Sequence, residues 1–208
     1  MKISVLFGTV LRTNNYLLTS DDASILIEAS CSLEDLKNEL NGKKLDAILL
    51  THAHWDHYSN LQKISDFYGC PVYVTEQGLE KIKLPKAFAT DRKPKIDCEA
   101  VGFRLIKNRN VLKFGKLELK VIATPGHTNC SVCYLIKQKE QDLLFSGDTI
   151  FEQGFGRTDL PTGNEKELLQ SIEKLLEFGD QTIVLSGHGP ETTLGSERIF
   201  LEEITKKN

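Results

Sequence analysis

The chain has 208 residues, 40% of them hydrophobic, which is enough for one large domain with a substantial buried core. Its 26 basic and 29 acidic residues give a net charge of −3, so no overall positive field favours nucleic acid or an anionic membrane as a partner. No apolar run approaches the roughly 20 residues that a membrane-spanning helix needs. We therefore expect a single domain over residues 1–208 that binds neither nucleic acid nor membranes.

The amino-terminal run from Met1 to Leu11 is interrupted by polar residues and shows no small-residue cleavage pattern, so we interpret it as a strand and not as a secretory signal. Five scattered cysteines argue against a disulfide framework and for a reducing compartment. Cys130 and Cys133 form a C-x-x-C pair before a strand-like run, whereas redox pairs open a helix, so buried side chains are favoured. These features predict a soluble, cytoplasmic protein.

The first half of the chain alternates strand-like runs with amphipathic segments. Residues 3–7, 16–18 and 25–27 are typical of an antiparallel opening. Ser32 is a predicted helix cap, followed by leucines at 33, 36 and 40 and by the stop signal Asn41-Gly42. A strand over 45–50, a helix over 61–68 that ends at Gly69 and a strand over 72–74 complete a β-α-β pattern.

Residues 81–95 interrupt this alternation. They contain six basic side chains, two prolines and a single acidic residue, Asp91. We interpret the segment as a solvated loop, and the functional alternative is a rim that attracts an anionic substrate.

The second half repeats the plan, and its predicted strands end at chemically distinctive residues. The run 117–121 leads to His127, the run 143–147 to Asp148 and the run 183–187 to His188. Apolar residues between 168 and 176 predict a helix closed by Gly179, and Ser196 opens a terminal helix through Ile204. We expect an α/β (α+β) fold, a four-layer αββα sandwich of two mixed β-sheets, with the ligands gathered at one edge.

Potential metal ligands are concentrated after the predicted strands. Residues 52–57 spell H-x-H-x-D-H, and all five histidines of the chain fall in candidate ligand positions. Imidazole nitrogen and carboxylate oxygen suit a catalytic zinc ion, which keeps one position for water. The candidate metal ligands are His52, His54, Asp56, His57, His127, Asp148 and His188.

We assign these residues to two divalent ions. His52, His54 and His127 hold the first ion, Asp56, His57 and His188 hold the second, and Asp148 bridges both beside a hydroxide. Two ions roughly 3.5 to 4 Å apart lower the pKa of a bound water toward about 7 and polarise a substrate carbonyl. Asp56 and Asp148 are the predicted catalytic carboxylates, with Asp56 orienting the hydroxide. Zinc is the favoured metal, and iron or manganese fit the same ligand types.

At these motifs the chain resembles the metallo-β-lactamase superfamily from about Ile3 to Ile204, which implies the αββα sandwich with a dinuclear site at one edge. Segments 145–151, 156–161 and 187–195 are similar to the short glyoxalase II-like hydrolases of bacteria. The resemblance implies a hydroxyacylglutathione hydrolase-like enzyme that cleaves S-D-lactoylglutathione, a related thioester or an ester by a metal-bridging hydroxide. Asp148 occupies the position where two-zinc β-lactamases usually carry cysteine, so antibiotic hydrolysis is not expected.

Two segments differ from relatives or favour another interpretation. Glu28-Ala29-Ser30 replaces the Asp-Pro-Gly turn that relatives often carry, which we expect to alter a turn but no ligand. Arg157 and Asp159 are similar to residues of the persulfide dioxygenases of the superfamily, whose single iron would be held here by His52, His127 and Asp148. The same pair is a candidate for substrate contact or for a structural ion pair.

Three classes of protein remain as alternatives to the hydrolase: the iron-dependent persulfide dioxygenase, a non-catalytic binding protein stabilised by metal, and a nuclease. The ligand set with a position for water favours an enzyme over a binding protein. The expected partner is a small-molecule thioester or ester, and the expected assembly is a monomer or a homodimer.

Overall fold

The computed structural model describes residues 1–84 and 94–206, which form fourteen strands and five α-helices. Lys86, Asp91, Arg92 and Lys93 of the basic segment lie outside the described residues. The chain divides into two compact units, Met1–Ile106 with Lys113–Leu117 and Lys107–Leu112 with Glu118–Asn208. The single domain over residues 1–208 stays a prediction.

The first unit contains a six-stranded mixed sheet. Its strands, in spatial order, are β1 (Lys2–Phe7), β2 (Asn14–Thr19), β3 (Ser24–Ile27), β4 (Ala47–Leu49), β5 (Val72–Thr75) and β6 (Phe103–Ile106). The first three are antiparallel, which confirms the predicted opening, and β3 to β6 are parallel. Because parallel neighbours end at the same edge of a sheet, the residues that follow β3 and β4 emerge side by side.

Helices α1 (Leu33–Leu40), α2 (Leu61–Tyr68) and α3 (Glu76–Lys83) connect the parallel strands. Helix α1 begins and ends as predicted, because the Ser32 hydroxyl accepts a hydrogen bond from the Asp35 amide at 3.0 Å and Asn41 ends the helix in the left-handed conformation. Leu36 and Leu40 of this helix are buried, and burial of each leucine contributes roughly 1.5 to 3 kcal/mol.

Helix α3 corrects the prediction for the start of the basic segment, since Lys81 and Lys83 belong to its last turn and not to a loop. The helix forms because the Thr75 hydroxyl accepts a hydrogen bond from the Gly78 amide and Glu76 lies in the first turn, where the helix dipole favours an acid. The lysines in the last turn interact favourably with the negative, carboxyl-terminal end of the helix dipole. Gly78 has a low helix propensity, and for this reason the sequence pattern did not predict a helix here.

The second sheet belongs mainly to the second unit. Its strands, in spatial order, are β14 (Thr192–Thr193), β13 (Ile183–Ser186), β10 (Leu143–Gly147), β9 (Val132–Ile136), β8 (Leu117–Ala123) and β7 (Val111–Phe114). Strands β10 and β13 are parallel to each other. The pairings of β10 with β9, of β13 with β14 and of β8 with β9 are antiparallel, so this sheet is also mixed. Strands β11 (Ile150–Phe151) and β12 (Gly154–Phe155) form a separate hairpin.

Helices α4 (Glu165–Leu175) and α5 (Leu194–Lys206) complete the second unit. Their apolar faces form one buried cluster with the sheet, through Leu168, Ile172, Leu175, Leu194 and Leu201 of the helices and Ile122, Cys133, Leu135, Leu144 and Val184 of the strands. Helix α5 begins two residues before the predicted start, because the hydroxyl of Thr193, and not that of Ser196, accepts the capping hydrogen bond from the Ser196 amide at 3.1 Å.

The two mixed sheets and their helices confirm the predicted α/β (α+β) class. Sequence patterns did not predict β6, β7 or the hairpin of β11 and β12, which have only two to four residues each. Within residues 1–84 and 94–206, every helix is too short or too polar to cross a bilayer.

Candidate metal centre

Four of the seven predicted ligands follow β4 in the first unit. After Leu49 the chain continues without regular structure to His54, and a 3-10 turn at Trp55–His57 then brings the His57 ring to 4.1 Å from the His52 ring, measured between centroids. His52, Asp56 and His57 are buried, with exposed fractions of 1%, 6% and 0%. The compact H-x-H-x-D-H motif therefore gathers its own side chains into one cluster.

Two ring nitrogens of this cluster face each other. Nε2 of His52 lies 3.1 Å from Nδ1 of His54. Two nitrogens bound to one tetrahedral zinc ion at about 2.0 to 2.1 Å lie roughly 3.3 Å apart. The separation of the two imidazoles therefore suits a shared cation.

Glu28 is a buried carboxylate beside these histidines that the ligand prediction missed. Its Oε1 lies 3.3 Å from Nδ1 of His57 and accepts hydrogen bonds from the hydroxyl and the amide of Thr51. Glu28, His52 and His57 offer three ligand atoms within 4.8 Å of one another. An acceptor at Nδ1 leaves Nε2 of His57 for a metal. The Glu28-Ala29-Ser30 segment was expected to alter only a turn, but it also supplies the carboxylate that contacts this proposed ligand.

Asp56 is held by Thr13, a buried residue directly before β2. The Thr13 hydroxyl donates to Oδ2 of Asp56 at 3.1 Å, and the same oxygen lies 3.6 Å from Nε2 of His57. The register explains this contact: β2 is antiparallel to β3, so the residue before β2 lies at the edge where β3 and β4 end.

The three remaining predicted ligands converge in the second unit. Oδ2 of Asp148 lies 3.5 Å from Nε2 of His127 and 3.7 Å from Nε2 of His188. Asp148 and His188 meet because each follows one of the parallel strands β10 and β13. A carboxylate oxygen close to two imidazole nitrogens offers both of the ligand types that a divalent cation such as zinc uses.

The second ring nitrogen of His127 has a backbone partner. Nδ1 lies 2.7 Å from the carbonyl oxygen of Arg157. A carbonyl only accepts hydrogen bonds, so Nδ1 carries the proton and Nε2 keeps its lone pair for a metal. The backbone of residue 157 thus selects the tautomer that a ligand at His127 requires.

The loop before His127 is attached to helix α4. The Asn164 amide donates to the Gly126 carbonyl at 2.7 Å, and the Ser171 hydroxyl donates to the Pro125 carbonyl at 2.7 Å. Gly126 has a φ of 137°, and a Cβ atom there would lie 2.2 Å from the backbone nitrogen of Leu168. Glycine is therefore required both by the conformation and by the contact.

The side chains of Arg157 and Asp159 form a two-point ion pair. Nε and Nη2 of Arg157 each lie 2.6 Å from a carboxylate oxygen of Asp159, and the two side chains are 62% and 64% exposed. The hydrogen bonds from Arg157 lower the pKa of Asp159 from 3.8 to about 2. This geometry agrees with the ion-pair alternative, and the substrate role of the two residues stays a prediction.

The C-x-x-C pair is buried, as predicted. Cys130 and Cys133 are 2% and 0% exposed, and no disulfide joins any of the five cysteines, all of which lie among the described residues. Burial raises the pKa of the Cys133 thiol to about 11. A buried thiol with this pKa is a poor nucleophile, and the burial of both side chains agrees with a packing role for the pair.

Each unit therefore brings together imidazoles and a carboxylate, the ligand types that divalent cations use. The first brings together His52, His54, Asp56 and His57, and the second brings together His127, Asp148 and His188. Their assignment to two shared ions stays a prediction. Sequence analysis missed Thr13, the carboxylate of Glu28 and the carbonyl of Arg157, and only Glu28, an acid directly after a buried strand, had a residue-type signal.

A sequence model of the metallo-beta-lactamase superfamily matches residues 8–188. A relative in Bacillus subtilis, named probable metallo-hydrolase YqgX, is 38% identical over 194 residues and the match covers 90% of each chain. Hydroxyacylglutathione hydrolase GloC of Haemophilus influenzae is 28% identical over 207 residues, with 95% of each chain covered. The similarity therefore spans both units.

Solved structures show the same similarity. BLEG-1, a B3 metallo-beta-lactamase, has a TM-score of 0.82 and 33% identity, over 96% of this chain and 99% of that chain. TTHA1623, solved in a di-iron-bound form, has a TM-score of 0.79 and 29% identity, over 94% of this chain and 96% of that chain. These similarities confirm the predicted metallo-β-lactamase-like fold.

Proposed function

Because the chain belongs to the metallo-beta-lactamase superfamily, we propose that it is a hydrolase that binds two divalent ions and cleaves a thioester or an ester. The observation that carries the proposal is the geometry around Asp148, whose Oδ2 lies within 3.7 Å of Nε2 of both His127 and His188. The superfamily match over residues 8–188 includes every predicted ligand of both units. A metallo-hydrolase among the relatives supports the same class.

The proposed ligands are divided between the ions in the order predicted from the sequence. His52, His54 and His127 would hold one ion, Asp56, His57 and His188 would hold the other, and Asp148 would serve both. Residues outside the ligand set support metal binding by His57 and His127, because Glu28 and the Arg157 carbonyl lie at the Nδ1 atoms of these histidines and leave Nε2 for a metal.

When bound, the two ions would supply a water molecule activated near neutral pH and a Lewis acid for the substrate carbonyl. Side chains of the protein hold the attacking water in position. Asp56 orients the attacking water, and Thr13 fixes Asp56 through its hydroxyl. A thiolate is a good leaving group, so a thioester needs no protein acid to protonate it.

The relative GloC supports a thioester substrate, because its name is hydroxyacylglutathione hydrolase. S-D-lactoylglutathione is therefore the first substrate to test. Zinc is the proposed metal, and the di-iron-bound form of TTHA1623 makes iron the first alternative. The proposal includes a small-molecule substrate, a cytoplasmic location and a monomer or homodimer.

The test combines metal analysis with turnover. Protein purified without chelators is analysed by mass spectrometry for metals, and hydrolysis of S-D-lactoylglutathione is followed by absorbance. We expect two ions per chain, and we expect Asp148→Asn to lose more than about 100-fold in kcat/KM, because loss of a ligand should exceed the 10- to 100-fold effect of losing an outer partner. Asp142→Asn is the matched control, since Asp142 lies before the same strand and accepts a hydrogen bond from the Gln138 amide.

Two results would contradict the proposal. Protein that binds two ions but cleaves neither thioesters nor esters would refute the substrate class. A single tightly bound iron with persulfide-dependent oxygen uptake would establish the dioxygenase alternative in its place.

Hydrolysis of β-lactams is a second candidate, favoured by the 33% identity to BLEG-1. The same preparations should be assayed with nitrocefin. A kcat/KM for nitrocefin above that for every thioester tested would replace the thioester proposal, whereas the opposite order supports it.

A further inference from the structure

The loop between β1 and β2, residues 8–13, is closed by hydrogen bonds at the carbonyl of Thr13. This oxygen accepts from the Gly8 amide at 2.7 Å and from Nδ2 of Asn15 at 2.9 Å. Thr13 and Asn15 are both fully buried. The position of Thr13 is therefore fixed from both ends of the loop.

Asn15 also holds the turn that follows β3. Its Oδ1 accepts hydrogen bonds from the Ser30 amide at 2.7 Å and the Cys31 amide at 3.0 Å, and its Nδ2 donates to the Ser30 hydroxyl at 3.0 Å. One buried amide side chain thus ties the β1–β2 loop to the turn that begins at Glu28. Burial makes each of these bonds costly to lose, because water cannot take the place of a lost partner at a buried polar group.

The loop carries backbone strain next to Thr13. Leu11 and Arg12 have φ values of 51° and 53°, in the left-handed region that disfavours residues with a Cβ atom. Strain of this kind persists where the surrounding contacts fix the conformation, and it is concentrated at functional sites.

Resting on the proposed function, we propose that Thr13 is a positioning residue for Asp56, and that Asn15 and the closed loop keep its hydroxyl in place. Asp56 is 6% exposed, so water contributes little to the orientation of its carboxylate. The Thr13 hydroxyl, 3.1 Å from Oδ2, restricts rotation of the carboxylate and thus prepares it for the second ion. Loss of this hydroxyl should weaken binding of that ion and leave the ion held by His52 and His54 unaffected.

The experiment is a calorimetric titration of the metal-free full chain with zinc, for wild type, Thr13→Val and Thr13→Ser. Valine keeps the shape and removes the hydroxyl, and serine restores it. We expect Thr13→Val to weaken one of the two binding steps about 10- to 100-fold and to leave the other unchanged. Thr13→Ser should restore both steps. Thr9→Val is the matched control in the same loop, because the Thr9 hydroxyl contacts the Ser30 carbonyl and Asn60 but no ligand.

Asn15→Asp tests the support of Thr13 separately. The carboxylate keeps the acceptor for the turn but replaces the donor to the Thr13 carbonyl, so we expect the same single binding step to weaken although the Thr13 hydroxyl is intact. Melting temperatures of the metal-free variants check that each is folded. Equal zinc binding by Thr13→Val and wild type, or a Thr13→Ser protein as weak as the valine variant, would overturn this inference alone. A wild-type chain that binds no metal would overturn the proposed function together with it.

Discussion

Gly156 lies so close to the backbone of Asp148 that a Cβ atom at position 156 would be 2.0 Å from the Asp148 carbonyl oxygen. The same atom would be 3.0 Å from the Cβ of His127. Glycine at this position therefore lets the chain after β12 reach two proposed ligands at once. The next residue, Arg157, can then place its carbonyl 2.7 Å from Nδ1 of His127.

Gly156→Ala should therefore damage both stability and metal binding. The added methyl group has no space beside backbone atoms, and we expect a loss of about 1 to 3 kcal/mol in the free energy of unfolding, measured by urea denaturation of the metal-free protein. Zinc affinity should fall in the same variant, because the Arg157 carbonyl moves. Gly179→Ala is the control, since a Cβ atom there meets nothing within 4 Å. Identical behaviour of the two variants would show that the close contact is unimportant.

Glu28→Gln should weaken zinc binding with little change of shape. The carboxylate accepts from Thr51 and faces Nδ1 of His57, so a neutral amide reduces the basicity of that imidazole. We expect a loss of about 10- to 100-fold in zinc affinity, measured by competition with a chromophoric chelator. The exposed Glu34, in the first turn of α1, provides the control variant Glu34→Gln. Unchanged affinity in Glu28→Gln would exclude this role for the carboxylate.

The pKa of Asp159 should depend on Arg157. Carboxyl-carbon NMR of the wild type should give a midpoint near 2, and Arg157→Gln should return it toward 3.8. Because the folded pKa is lowered, the pair contributes stability above pH 3.8, and the contribution disappears as the pH falls through about 2. Both side chains are well exposed, so we expect almost no change in melting temperature at pH 7.

The kinetics of Arg157→Gln separate the two interpretations of this pair. A raised KM for the thioester with an unchanged melting temperature would support the predicted substrate role. Unchanged KM and kcat would leave only the ion pair.

Thiol labelling should distinguish Cys98 from the other cysteines. Cys98 is partly exposed and the other four are buried, and burial raises the pKa of Cys31 to about 12 and those of Cys70 and Cys133 to about 11. At pH 8 the thiolate fraction of these three is therefore on the order of 0.1% or less. Iodoacetamide, followed by peptide mass spectrometry, should modify Cys98 first and the others only in denaturant. Rapid modification of Cys133 in the folded protein would contradict its burial.

The parts of the fold that sequence analysis predicted correctly have local signals. Helix α1 has a serine cap and an asparagine stop, and β8 alternates buried and exposed residues from Leu117 to Val121. Helix α3 was missed because its signals are a cap at Thr75 and a glycine in the first turn, which do not form an apolar stripe. The missed strands β6 and β7 each contain a basic residue, Arg104 or Lys113, and β11 and β12 have two residues each, so none presents the continuous apolar run by which the comparably short β4 was predicted.

The residues of the candidate site also fall into those that the sequence predicted and those that it did not. The cluster at 52–57 is local, so its spacing alone predicted that its members lie together. Thr13 reaches Asp56 only through the antiparallel register of β2 and β3, which a sequence pattern does not specify. The partner of His127 is a backbone carbonyl, and every residue type has one, so position 157 carried no chemical signal for this role.

Helix α4 is bonded to the peptide segment that leads into His127, through the Asn164 amide and the Ser171 hydroxyl. Any fluctuation that frays the start of this helix must also release the Gly126 carbonyl, so the two segments should open as one cooperative element. Deuterium exchange of their amides should then proceed with a common protection factor, and zinc should raise that factor for both. Substitutions on the buried side of α4, which itself carries no proposed ligand, would in this way alter how long the protein retains a bound metal ion.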